Sequence, residues 1–122
     1  MLQKRVIIIE EDPIYRTLLQ KIAKDLKCTV VGVESGGNEA MDLYKRMKPD
    51  IVLLNIRTPL ELGLEVLKKM KKIKPYVVVI MITSVSEEET VKRCIEAGAD
   101  GYILKEDTDT QIQNRLANFI NL

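Results

Sequence analysis

Five short apolar runs punctuate the chain: Arg5–Ile9 (RVIII), Thr29–Val33 (TVVGV), Ile51–Leu54 (IVLL), Val77–Ile82 (VVVIMI) and Gly101–Leu104 (GYIL). Most are continuous rather than alternating, and they are rich in β-branched residues. That pattern predicts strands covered on both faces rather than helices. Helix-period segments lie between them. Ile14, Leu18, Ile22 and Leu26 recur every four residues, with Asp12 placed as a cap and Pro13 in the first turn. A second helix is predicted over Asn38–Met47, entered through Gly36-Gly37, and a third over Leu62–Lys72 with Leu64, Leu67 and Met70 inward. A fourth runs over Ser86–Ala97, opening on a Ser86-x-x-Glu89 capping box and stopping at Gly98. The last runs from Asp109 to Ile120. Thr108 is its cap, Gln111 follows three residues on, and Ile112, Leu116, Phe119 and Ile120 form its apolar face.

Strand and helix therefore alternate five times. This is the pattern of an α/β fold: a doubly wound, five-stranded parallel sheet, (βα)5, with helices on both faces. The length suits a single domain spanning 1–122, and no linker or repeat divides it. In such sheets the ligand crevice lies beyond the carboxyl ends of the strands. The first strand is followed by Glu10, Glu11 and Asp12, the third by Asn55, the fourth by Thr83 and Ser84, and the fifth by Lys105. Acids, an amide, a hydroxyl and a lysine converge on one rim, which makes the rim the candidate site.

Composition narrows the chemistry. There is no histidine, which excludes Ser-His and Cys-His catalysis and imidazole metal sites. With 19 basic against 18 acidic side chains the net charge is +1, so nothing draws the chain generally to nucleic acid or membrane. The run KKMKKIK at 68–74 has no interleaved aromatic residues. It reads as the solvated end of the third helix, with Met70 and Ile73 inward, and no direct nucleic-acid binding is expected. Likewise Glu87, Glu88 and Glu89 favour a helix start and need no other role. Cys28 and Cys94 form no CxxC and are expected as buried thiols in a reducing compartment. No signal peptide is visible, and no apolar run approaches the ~20 residues of a membrane span. The expected location is the cytoplasm, without membrane contact.

Two adjacent carboxylates and a backbone carbonyl suit a hard cation such as Mg²⁺. A lysine and a hydroxyl suit the oxygens of a phosphoryl group. A carboxylate to accept that group belongs at the end of the central strand, and Asn55 stands there.

The fragments VIIIEEDP (6–13), PDIVLLNIRTP (49–59), GLEVL (63–67), VIMITS (79–84) and GADGYILK (98–105), in this order and spacing, resemble the receiver domain of two-component response regulators, the CheY-like family. The resemblance covers essentially the whole chain. It implies strand order 2-1-3-4-5, a role in phosphorelay signal transduction, and no enzymatic activity in the ordinary sense. By resemblance, Glu10 and Glu11 match the acidic pair that binds Mg²⁺, and Arg57 the residue lending the metal a backbone carbonyl. Asn55 matches the phosphorylated aspartate, Thr83 and Lys105 the contacts to the phosphoryl group, and Thr83 and Tyr102 the switch. The implied partner is a sensor histidine kinase or another signalling protein. Self-association would use the face of the fourth helix, fifth strand and fifth helix, where Lys92, Arg93, Glu96 and Asn114 are expected to be exposed.

Three positions depart from the family's pattern. Asn55 has an amide that cannot form an acyl phosphate. The acidic pair is Glu-Glu, where the family commonly has at least one Asp; the extra methylenes can shift the metal site or fold the carboxylates onto Lys105. Glu106 follows Lys105 where proline is common. Weak or absent Mg²⁺ binding is therefore expected. Simpler readings stand beside these: Asn55 as a turn residue or as an engineered replacement of a working aspartate, and Tyr102 as a tyrosine of the core edge. A flavodoxin-like protein would need a phosphate loop where Glu10, Glu11 and Asp12 would repel phosphate. A dinucleotide enzyme would need the GxGxxG that is absent there. A small hydrolase with an aspartyl nucleophile would have only Asp12, which is better placed as a helix cap.

Overall fold

The computed structural model describes residues 3–55, 60–84 and 88–120. The apolar runs become β1 (Arg5–Ile9), β2 (Thr29–Glu34), β3 (Ile51–Asn55), β4 (Val78–Thr83) and β5 (Gly101–Leu104). They pair in parallel in the order β2-β1-β3-β4-β5. The helices are α1 (Pro13–Asp25), α2 (Asn38–Met47), α3 (Leu60–Ile73), α4 (Glu88–Glu96) and α5 (Asp109–Ile120).

Side chains alternate across a strand, and here both faces are covered. Ile7, Ile9, Val52, Leu54, Val79 and Met81 meet Leu43 and Tyr44 of α2 and Leu64, Leu67 and Met70 of α3. Val6, Ile8, Ile51, Leu53, Ile80 and Ile82 meet Leu19 and Ile22 of α1 and Ile112 and Leu116 of α5. Burying each such Ile or Leu contributes about 1.5–3 kcal/mol, so the continuous runs are the core itself. Cys94 lies in the first cluster and Cys28 in the second, both as free, buried thiols whose pKa burial pushes up.

Local chemistry sets the helix ends. Asp12 Oδ1 accepts from Ile14 N at 3.0 Å, ahead of Pro13. Thr108 and Gln111 form the expected reciprocal cap, with Thr108 N donating to Gln111 Oε1 at 2.8 Å and Gln111 N to Thr108 Oγ1 at 3.1 Å. The box expected at Ser86 lies outside the described residues.

Several expectations need correction. Ile14 is 81% exposed. Steps of four residues drift by about 40° around a helix, and the buried stripe is centred on Leu19, Ile22 and Ala23. Ile73, at the last position of α3, is 53% exposed rather than inward. Asn55 and Thr83 are the last residues of their strands rather than the first beyond them, because Asn55 still pairs with Ile82 and Thr83 with Leu104. Val77 precedes β4 yet is fully buried. α3 begins at Leu60, two residues earlier than expected. Among the described residues no helix is long and apolar enough to cross a membrane.

Candidate functional site

The carboxyl ends of β1, β3, β4 and β5 deliver Glu10, Asn55, Thr83 and Lys105 to the same edge of the sheet. Glu10 follows β1 directly, and its N–H donates to Glu34 O at 2.9 Å. Its side chain is fully buried. A carboxylate in that position costs several kcal/mol unless it is paired and hydrogen-bonded, and Glu10 is both. Asn55 Nδ2 donates to Oε1 at 2.7 Å and Asp12 N to Oε2 at 3.0 Å. Lys105 Nζ lies 3.1 Å from each of the two oxygens. Arg16 Nη1 donates to the Glu10 carbonyl at 3.3 Å.

Lys105 is held from further directions. Its backbone N–H donates to Thr83 O at 2.8 Å, and its ammonium sits 4.9 Å from the centroid of the Tyr15 ring. Tyr15 stands in the first turn of α1. Its hydroxyl is buried without a hydrogen-bond partner among the described residues. Burial first, then the nearby Glu10 and other acids, push its pKa up to about 12.

Of the positions singled out in the sequence, Asn55 and Lys105 each contact Glu10 directly. Thr83 is buried at the end of the neighbouring strand, and Glu11 is exposed on the rim. Arg57 lies outside the described residues. Among the described residues no three acids or cysteines gather as a metal-binding group. Tyr102 is partly buried on β5, with the Arg115 guanidinium 5.1 Å over its ring and Arg115 Nε 3.2 Å from Asp107. Lys92, Glu96 and Asn114 are exposed as expected, whereas Arg93 is partly buried and pairs with Glu61 at 3.0 Å. A cleft of about 480 Å³ opens on the other side of Asn55, between α2 and α3, walled by Ile9, Leu54, Met41 and Val66. Its walls are mainly apolar, with Glu65 and Lys69 among them, and Glu10 and Lys105 are not in its lining. Sequence reasoning missed Tyr15 and Arg16. Their signal was faint: two polar-tipped residues in the turn after Glu10-Glu11-Asp12, one helical turn from the rim.

The family model described as the response regulator receiver domain matches residues 6–117. The chain belongs to this family. The receiver domain is 33% identical over 102 residues to the chemotaxis protein CheY of Halobacterium salinarum, a match covering 84% of each chain. It is equally 33% identical over 102 residues to CheY of Thermotoga maritima, covering 84% of this chain and 85% of that one. In fold it is similar to a response regulator from Thermotoga maritima known from a crystal structure, with a TM-score of 0.90 at 20% identity, covering 99% of this chain and 100% of the other. Receiver domains are two-component signalling modules rather than catalytic enzymes. They commonly bind Mg²⁺ at the phosphorylation site and interact with histidine kinases and other signalling proteins. The flavodoxin-like and hydrolase readings give way to this family.

Proposed function

We propose that this receiver domain signals by binding partner proteins without forming an aspartyl phosphate, because Asn55 occupies the acceptor position. The observation that carries the reading is the contact of the Asn55 amide with Glu10. Residue 55 ends the central strand and donates to the acid after β1, the same carboxylate that holds the lysine after β5. An acyl phosphate forms when a carboxylate oxygen attacks phosphorus and displaces the donor's leaving group. A neutral amide is a poor nucleophile at oxygen, and its NH₂ is turned toward Glu10. In this reading Thr83 and Lys105 stand where the family's phosphoryl contacts stand and Tyr102 where its switch stands, beside a site that stays unphosphorylated. Partners, a sensor histidine kinase or another copy of the chain among them, would be met through α4, β5 and α5.

The test is an intact mass after incubation with Mg²⁺ and acetyl phosphate. The expected result is no gain of one phosphoryl group. A stable gain would overturn the proposal. The nearby aspartates give no alternative acceptor: Asp12 caps α1, and Asp50 Oδ2 accepts from Arg5 N at 2.8 Å at the opposite edge of the sheet.

A further inference from the structure

We infer that Lys105 is the resident cation of the acidic rim, filling the electrostatic role of a divalent metal and keeping the site closed without one. Mg²⁺ demands oxygen ligands in near-octahedral geometry at about 2.0–2.1 Å. Among the described residues, the side chains of the rim do not fit that demand. Both Glu10 oxygens already accept from N–H donors, Oε1 from Asn55 and Lys105 and Oε2 from Asp12 and Lys105. Asn55 presents donor hydrogens toward Glu10, where a metal would need an oxygen. Within the buried contact one carboxylate and one ammonium balance in charge, while Glu11 stands outside it on the exposed rim.

The ammonium is also pre-positioned. The backbone of Lys105 is tied to Thr83, and its side chain lies between Glu10 and the face of Tyr15. A cation over an aromatic face gains from the ring quadrupole. Glu10 reaches it because its second methylene carries the carboxylate across the crevice. The Glu10 carboxylate is thus satisfied by side chains at the ends of β3 and β5 and by the Asp12 backbone.

The inference shares its site with the proposed function but has a separate readout. Thermal unfolding of the full chain is followed in chelator and in MgCl₂. The unmodified protein is expected to shift by less than about 1 °C at roughly 10 mM Mg²⁺. Lys105→Met strips Glu10 of its counter-charge. It should melt lower in chelator and regain about 3–5 °C from the same Mg²⁺. A gain of several degrees by the unmodified protein, or a Lys105→Met response no larger than its own, overturns the inference. Should Lys105→Met fail to fold in chelator, Mg²⁺ is expected to fold it, as read by circular dichroism; a chain still unfolded in Mg²⁺ also overturns it. The double variant Glu10→Gln/Lys105→Met, with both charges gone, is expected to fold in chelator and to ignore Mg²⁺. A Mg²⁺ gain there equal to that of Lys105→Met would put the metal elsewhere and overturn it too. A phosphoryl adduct defeats the preceding proposal and leaves this one standing; a Mg²⁺ response in the unmodified protein does the reverse.

Discussion

Asn55 and an aspartate differ by one exchange, NH₂ for O⁻, with almost no change of shape. What changes is the contact with Glu10, 2.7 Å away. In Asn55→Asp a donor becomes an anion facing an anion. At that separation and an effective dielectric of ~20, the repulsion is about 6 kcal/mol before rotation, solvent and Lys105 offset it. A net loss of about 2 kcal/mol is expected, seen as a melting temperature lower by roughly 6–10 °C in chelator. Two carboxylates against one ammonium leave an excess negative charge, so millimolar Mg²⁺ should recover much of the loss. If Asn55→Asp melts no lower in chelator and gains nothing from Mg²⁺, residue 55 does not face Glu10.

Among the elements, β2 and α2 approach closely, as do β5 and α5 at Gly101 and Phe119. A Cβ built on Gly32 would lie 2.6 Å from Leu43 Cδ1 and 3.1 Å from its Cγ. Leu43 is buried and has little room to give. Gly32→Ala should therefore cost about 1–3 kcal/mol by overpacking. The check is a lower urea midpoint with an unchanged slope; an unchanged midpoint would mean that α2 yields freely. The sequence carried much of this level of structure. Five β-branched runs marked the strands, and the Thr108-Gln111 box and the Asp12-Pro13 pair marked two helix starts, because these signals are local. Gly32 read only as part of a strand, since its crowding depends on which helix lands above it. Ile14 and Ile73 were misplaced for a related reason: burial at a helix end depends on how far the sheet extends beneath it. At the site, the strand ends pointed to Glu10, Asn55 and Lys105. The Glu10–Lys105 pair spans 95 positions, and the Tyr15 ring beneath the lysine belongs to a third element. No periodicity encodes such meetings.

At the scale of the whole molecule, the rim and the outer face are joined through β5. Leu104 N donates to Asp107 Oδ2 at 3.1 Å, Asp107 pairs with Arg115 of α5, and Arg115 lies over Tyr102. Tyr102 thus touches the surface proposed for partners while standing three residues from Lys105. Tyr102→Ala should free Arg115 and weaken self-association or partner binding about tenfold, equivalent to ~1.4 kcal/mol, while the domain stays folded. Sedimentation velocity beside a melting curve separates the two effects. Association unchanged at equal stability would leave Tyr102 as a tyrosine of the core edge.

The closed contact of Glu10, Asn55 and Lys105 also bears on time. Where an acyl phosphate forms, its hydrolysis sets how long a signal lasts. If Asn55 takes no phosphoryl group, as proposed, the rim has nothing to hydrolyse and so no internal clock. Its message would rise and fall with the amount of the domain and of its partner, by mass action alone. Synthesis and degradation of the chain would then set the memory of the circuit.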